Sequence, residues 1–132
     1  MKITVEQKKN IAEIAEKHGL KLVVFFGSFA TGKKREDSDM DIAVRGKDNI
    51  SPKNIISLKE KLEEILDGKV NVISSNNADP NTLHQIEQNS TLLFGKEDEF
   101  MELKAYAFKM YHDFVYFLKI HGYDNEKIVK AV

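Results

Sequence analysis

The stretch that decides the fold is GSFATGKKREDSDMDIAV, residues 27–44. It joins a Gly-Ser pair to an Asp-x-Asp pair, Asp39 and Asp41, through ten intervening residues. The segment before it, LKLVVFF at 20–26, is short and rich in β-branched and aromatic residues, which predicts a buried strand. The segment DMDIAV at 39–44 alternates acidic and apolar residues. It therefore predicts a second strand, with both carboxylates on one face.

The residue types in this stretch suit the binding of a metal and a nucleotide. Carboxylates at i and i+2 lie about 6 to 7 Å apart along a strand. Magnesium is commonly held by one or two carboxylates, with water and substrate phosphates completing its coordination, so Asp39 and Asp41 are candidate ligands. Gly27 would let a phosphate approach the backbone, and Ser28 can donate its hydroxyl and amide hydrogens to phosphate oxygens. The two common alternatives for nucleotide binding, GxxxxGK[ST] and GxGxxG, do not occur in the sequence.

The rest of the chain predicts helices that alternate with strands. Apolar periodicity, helix caps and glycine stops indicate a helix from Thr4 to Gly19, a helix from Ser51 to Gly68, a strand at 70–73, a short helix from Asp79, a strand at 91–94, a long helix from about Phe100 to His121, and another turn or two at 125–132. This order predicts an α/β (α+β) fold, a small mixed β-sheet with helices packed on it. We expect one domain over 1–132, with an aromatic-rich helical region at about 98–132.

Composition and charge exclude several classes of protein. The 132 residues are 42% hydrophobic and 31% charged, which is typical of one globular domain. Twenty Lys and Arg against 21 Asp and Glu leave a net charge of -1, so strong non-specific binding to nucleic acid is not expected. The chain has no cysteine, which excludes thiol catalysis and zinc-thiolate sites. The polar start MKITVEQKKN and the absence of a long apolar run predict a cytoplasmic protein that does not contact membranes.

The pattern GS, ten residues, DxD resembles the nucleotidyltransferase superfamily of polymerase β-like enzymes, and in particular its minimal nucleotidyltransferases. The resemblance extends to chain length, to the helix before the motif and to the segment from 78 to 95. It implies the polymerase β-like fold and transfer of AMP from ATP, with Mg²⁺, to a tyrosine of a partner HEPN-type RNase toxin, as in MntA-type antitoxins. It also implies that Gly27 and Ser28 bind the nucleotide phosphates and that Asp39 and Asp41 are catalytic metal ligands.

One position departs from the superfamily pattern. The superfamily usually carries a third acid in the following strand, and the matching residue here is Asn71. An amide oxygen can still coordinate a metal, but it brings no charge and does not act as a general base. Asn71 is therefore either a weakened third ligand or a polar residue hydrogen-bonded within the sheet. The basic run at 33–35 is interpreted as a solvated loop rather than a phosphate contact.

The C-terminal region at about 98–132 has two interpretations. It holds eight of the twelve aromatic residues, more than one helix face can bury against a small sheet. The surplus favours a protein interface, with the toxin or with a second copy, over a helix that belongs only to the core. Three functions follow from these features: an adenylyltransferase antitoxin, an inactive homologue that neutralises the toxin by binding alone, and, less favoured at this length, a nucleotidyltransferase that modifies a small molecule such as an antibiotic.

Overall fold

The computed structural model describes residues 3–27 and 39–122. Its elements follow the order expected from the sequence, and the mixed α/β class is confirmed. They are α1 (Val5–Lys17), β1 (Leu20–Phe26), β2 (Met40–Gly46), α2 (Pro52–Leu66), β3 (Val70–Ser74), a 3-10 turn (Ser75–Asn77), α3 (Pro80–Gln88), β4 (Ser90–Phe94) and α4 (Glu97–Ile120).

Three helices begin at caps that the sequence predicts. Thr4 and Gln7 form a reciprocal capping box at the start of α1. The Ser51 hydroxyl accepts the Asn54 N–H at 3.2 Å, and an Asp79 carboxylate oxygen accepts the Thr82 N–H at 2.7 Å. Each cap satisfies a backbone donor that the first helical turn leaves without a partner, so these starts are determined locally.

The strands form one mixed sheet in the order β3-β2-β1-β4. Strand β1 is antiparallel to both β2 and β4, whereas β2 and β3 are parallel. Two parallel neighbours need a crossover connection, and α2 supplies it. The register places Phe26 opposite Asp41 on one side of β2 and Asn71 opposite Asp41 on the other. The ends of the two central strands therefore meet at the motif.

Each face of the sheet buries a separate apolar cluster. One face packs Ile42 and Val44 against α1 and α2, and the other packs Phe26 and Ala43 against α3 and α4. Side chains alternate along a strand, so Asp41 shares the face of Ala43 rather than that of Ile42. The Asp41 carboxylate therefore lies on the α3 and α4 side of the sheet.

Helix α4 contacts the core through only part of its length. Its buried residues are Phe100, Leu103, Ala107 and Tyr111, and the residues from His112 to Ile120 are half-buried or exposed. None of the described helices is long and apolar enough to cross a membrane.

Candidate active site

Gly27 follows the last residue of β1 and takes a backbone conformation that suits glycine. Its φ is +76°, in the left-handed region where other residues are strained. A Cβ atom at this position would lie 2.9 Å from the Asp41 Oδ2, which is closer than real contacts allow. Gly27 therefore both turns the chain after β1 and leaves the space that the Asp41 carboxylate occupies.

The Gly27 turn is held by a contact that sequence reasoning missed. The Gly27 N–H donates to the Asn89 carbonyl oxygen at 3.2 Å, just after α3 ends. Because the Asn89 group is a backbone carbonyl, no residue type in the sequence could have signalled it. This N–H is already used, so Gly27 contributes its conformation and its missing side chain to the site.

Asn71 lies directly beside Asp41 across the parallel strand pair. The Asn71 Nδ2 donates to the Asp41 Oδ1 at 3.4 Å. The contact is at the long end of hydrogen-bond distances, so it orients the carboxylate rather than holding it rigidly. The amide nitrogen of Asn71 therefore faces the acid, and a role of Asn71 as a weakened third ligand stays a prediction.

The electrostatics of Asp41 favour a cation at this position. Burial raises the pKa of Asp41 above its usual value of 3.8, the hydrogen bond from Asn71 lowers it, and the nearby charge of Asp39 raises it. The net shift is upward, so the ionised carboxylate is less stable here than in water. A bound cation would reverse the effect of burial and the repulsion from Asp39. The residue that the sequence predicts as a metal ligand therefore carries a negative charge that is energetically unfavourable without a cation.

The donor set fits a magnesium ion that is completed by substrate. Asp39 is exposed immediately before β2, and Asp41 is half-buried within it. Within residues 3–27 and 39–122, no group of three or more His, Cys, Asp or Glu side chains could hold a metal by itself. Magnesium often keeps several waters and binds one or two carboxylates together with substrate phosphates, so two acids suffice for such a site.

Two parts of the predicted site lie outside the described residues. Ser28, predicted to bind the nucleotide phosphates, belongs to the range 28–38, and so does the basic run at 33–35. Of the remaining predicted residues, Gly27, Asp41 and Asn71 meet at one end of the sheet, and Asp39 directly precedes the strand that carries Asp41.

Comparisons with known proteins agree with this geometry. A model of the polymerase β nucleotidyltransferase family matches residues 9–99. A protein of Methanocaldococcus jannaschii with the provisional name protein adenylyltransferase is 39% identical over 75 residues, which cover 57% of this chain and 81% of that protein. The protein adenylyltransferase MntA of Thermococcus cleftensis is 33% identical over 76 residues, covering 54% of this chain and 77% of the relative.

A solved structure shares the fold at lower identity. It is the complex of a tri-AMPylated HEPN toxin with its MNT antitoxin from Shewanella oneidensis. The match has a TM-score of 0.71 and 20% identity, and covers 87% of this chain and 92% of the other. The family model spans more than half of the chain, and the fold agrees with it. The chain therefore belongs to the polymerase β nucleotidyltransferase family.

Proposed function

We propose that this chain is a magnesium-dependent protein adenylyltransferase that transfers AMP from ATP to a tyrosine hydroxyl of a HEPN-type RNase toxin and thereby acts as its antitoxin. The observation that carries the proposal is the close approach of Gly27 to the Asp41 carboxylate at the end of β1. That arrangement supports the proposal because the predicted metal ligand Asp41 lies next to the residue that precedes the predicted phosphate contact, Ser28.

The reaction requires one bond to form and one to break. The acceptor oxygen bonds to the α-phosphorus of ATP, the bond from that phosphorus to the bridging oxygen of the β-phosphate breaks, and pyrophosphate leaves. The hydroxyl proton is released to water, since the Asn71 amide cannot take it up. The chain contributes orientation and fixed charge, which are the main sources of catalysis in phosphoryl transfer.

The site residues divide this work between them. Gly27 keeps the space beside Asp41 open, and Ser28 would contact the phosphates. Asp39 and Asp41 would hold Mg²⁺, which when bound neutralises phosphate charge and stabilises the leaving group. The hydrogen bond from the Asn71 amide would keep the Asp41 carboxylate in position to bind Mg²⁺.

The choice of a protein acceptor rests on the relatives. Two relatives carry the name protein adenylyltransferase, and one structural neighbour is a complex with an AMPylated HEPN toxin.

A direct test measures transfer of label. The chain is incubated with α-labelled ATP, Mg²⁺ and the product of the neighbouring gene as the candidate toxin, and the label on its tyrosines is counted. We expect Asp41→Ala and Asp39→Ala to lower transfer at least about 100-fold. Asp48→Ala removes an exposed acid that follows β2 at its other end, and should change transfer less than about twofold. Label that persists in both site variants would contradict the proposal.

The neutral residue at position 71 makes a second, specific test. A general base is typically worth about 10² to 10⁴ in rate, so this chain should be slow for its class. Asn71→Asp should raise the transfer rate, with Asn71→Ala as the control that removes the donor without adding charge. An Asn71→Asp variant no faster than the wild type would show that the position only supports the sheet.

Neutralisation by contact alone is the second candidate function. It is favoured by the missing charge at Asn71 and by the exposed apolar part of α4. The RNase activity of the toxin separates the two functions. If the double variant Asp39→Ala, Asp41→Ala still inhibits the toxin fully, binding is sufficient, whereas recovery of RNase activity supports adenylylation.

A further inference from the structure

The end of α4 carries apolar side chains that residues 3–27 and 39–122 leave largely exposed. Helix α4 has 24 residues and is about 36 Å long, and its last buried residue is Tyr111. The following sequence DFVYFLKI, 113–120, contains five consecutive apolar residues, FVYFL at 114–118. Since one helical turn takes 3.6 residues, these five point to every side of the helix. A helix that is apolar all round is normally buried.

The exposure of these side chains is large. Tyr116 is 66% exposed, Phe117 52% and Ile120 63%. Phe108 lies about two helical turns before Tyr116. It is 50% exposed and stacks on His112 with ring centroids 4.0 Å apart. We refer to Phe108, Tyr116, Phe117 and Ile120 as the α4 surface. Contiguous apolar patches of this kind on a small domain mark interaction sites.

The charged residues around the α4 surface are mostly basic. Lys109 and Lys119 are exposed beside it, and Asp113 is the acid in the same stretch. A partner that fits this surface therefore presents apolar pockets with carboxylates at their rim, because opposite charges at a rim guide association and exclude wrong partners.

A second copy of the chain covers the α4 surface poorly. Pairing the stretches 108–120 of two antiparallel helices gives an overlap of only about 20 Å, too short for the roughly 800 Å² that each partner buries in a stable interface. Phe108 and Phe117 are about 180° apart around the helix, so a second helix that packs along one side would leave one of them in water. A concave surface built from several elements of another protein can enclose all sides.

The position of α4 connects this surface to the active site. Phe100, Leu103 and Ala107 of α4 pack on the sheet face that carries Ala43. That is also the face to which the Asp41 carboxylate points. A protein bound to α4 therefore stands on the same side of the sheet as the catalytic acids.

We propose that the α4 surface is the docking site for the protein that accepts AMP, and that this partner encloses the end of the helix in an apolar groove with an acidic rim. The inference rests on the proposed function for the identity of the partner, the HEPN-type toxin, while the docking itself needs no catalysis.

The test compares two isoleucines that are exposed on helices at opposite faces of the sheet. Ile120 on α4 is 63% exposed and Ile56 on α2 is 59% exposed. Affinity for the product of the neighbouring gene, the candidate HEPN-type toxin, is measured by calorimetry without ATP, for Ile120→Asp, Ile56→Asp and the wild type. We expect Ile120→Asp to weaken binding at least about 30-fold, as at an interface hot spot, and Ile56→Asp less than about twofold. A Lys119→Glu variant should also weaken binding, and more so at low salt.

Each other outcome overturns the inference. If Ile120→Asp and Ile56→Asp bind the partner with equal affinity, the α4 surface is not part of the interface. A wild-type dimer that Ile120→Asp dissociates, seen by sedimentation, assigns the surface to a second copy. A melting temperature of the isolated chain that falls by more than about 5 °C in Ile120→Asp alone assigns the surface to packing within this chain. Transfer of label is scored separately, so normal docking without AMP transfer contradicts the proposed function and not this inference.

Discussion

At the scale of single residues, the site depends on contacts between groups that are far apart in the chain. Gly27, Asp41 and Asn71 come from three successive strands or their ends. The Asp41 carboxylate occupies the space that a Cβ at Gly27 would need, and it accepts a hydrogen bond from the Asn71 amide. Each of these residues is therefore sensitive to changes as small as one methyl group or one charge.

Substitution of Gly27 should impair the site beyond its effect on the backbone. Gly27→Ala introduces a residue at φ +76° and a Cβ 2.9 Å from the Asp41 carboxylate. Gly19→Ala is the matched control, because Gly19 has φ +67° with no atom within 4 Å of the new Cβ. Both variants should lose about 1 kcal/mol of unfolding free energy in urea. Only Gly27→Ala should also lose AMP transfer, by at least about 100-fold, and equal activity of the two variants would argue against the contact.

Neutralising Asp41 should stabilise the protein while it abolishes activity. The folded-state pKa of Asp41 is raised above its unfolded value, so protonation favours the folded state. The stabilising contribution is complete below pH 3.8 and is lost as the pH rises through the raised pKa. At pH 7 without divalent cations, Asp41→Asn should therefore melt about 1 to 2 °C higher than the wild type, a small shift because the group is only half-buried.

The control for this prediction is magnesium with ATP. The ligands should raise the melting temperature of the wild type and leave Asp41→Asn unchanged, because the variant has lost a ligand charge. An Asp41→Asn protein that melts lower than the wild type at pH 7 without metal would contradict the unfavourable charge.

At the scale of elements, caps and stops determine where each helix begins, and α3 has a role that reaches the site. Asp79 caps α3 at its start, and Asn89 after its end accepts the Gly27 N–H. Helix α3 therefore connects the capped start at Asp79 to the turn at Gly27, directly before the predicted phosphate-binding residue Ser28.

Removal of the α3 cap should lower stability and loosen that turn. Asp79→Ala leaves the Thr82 N–H without its 2.7 Å acceptor and should cost about 1 kcal/mol of unfolding free energy. Ser51→Ala at α2 removes a comparable cap, at 3.2 Å, on the other face of the sheet. Hydrogen exchange of the Gly27 amide should accelerate only in Asp79→Ala. Unchanged exchange would mean that the turn does not depend on α3.

At the scale of the whole molecule, two apolar clusters share a single sheet. Alternate residues of β1 and β2 enter different clusters, so neither cluster can lose its order while the strands remain paired. The domain should therefore unfold in one cooperative transition.

Truncation in either cluster tests this cooperativity. Leu62 of α2 is 2% exposed and Leu103 of α4 is 1% exposed. We expect Leu62→Ala and Leu103→Ala each to cost about 2 to 5 kcal/mol in urea unfolding, with a single midpoint seen by circular dichroism and by tyrosine fluorescence. The exposed Ile56→Ala should change stability by less than about 0.5 kcal/mol. Separate midpoints for the two probes in Leu103→Ala would indicate that the clusters unfold independently.

Local patterns in the sequence determined the elements, the helix starts at Thr4, Ser51 and Asp79, and the pair of acids on β2. These features depend on neighbours within about four residues, so periodicity and capping chemistry reveal them. The GS and DxD pattern also indicated the family, since its residue types and spacing carry the chemistry. Of that pattern, Ser28 lies outside the described residues, and its contact with phosphate stays a prediction.

Only the tertiary structure decided how these parts meet. The parallel register of β2 and β3 brings Asn71 to Asp41, and the Asn89 carbonyl accepts the Gly27 N–H. Neither contact can be predicted from residues that are neighbours in the sequence. The aromatic surplus near the C-terminus was visible from composition. Which of those side chains the core leaves uncovered became clear only from packing, because burial depends on where the sheet and α3 end relative to α4. Short-range chemistry sets the elements, and long-range packing sets the site.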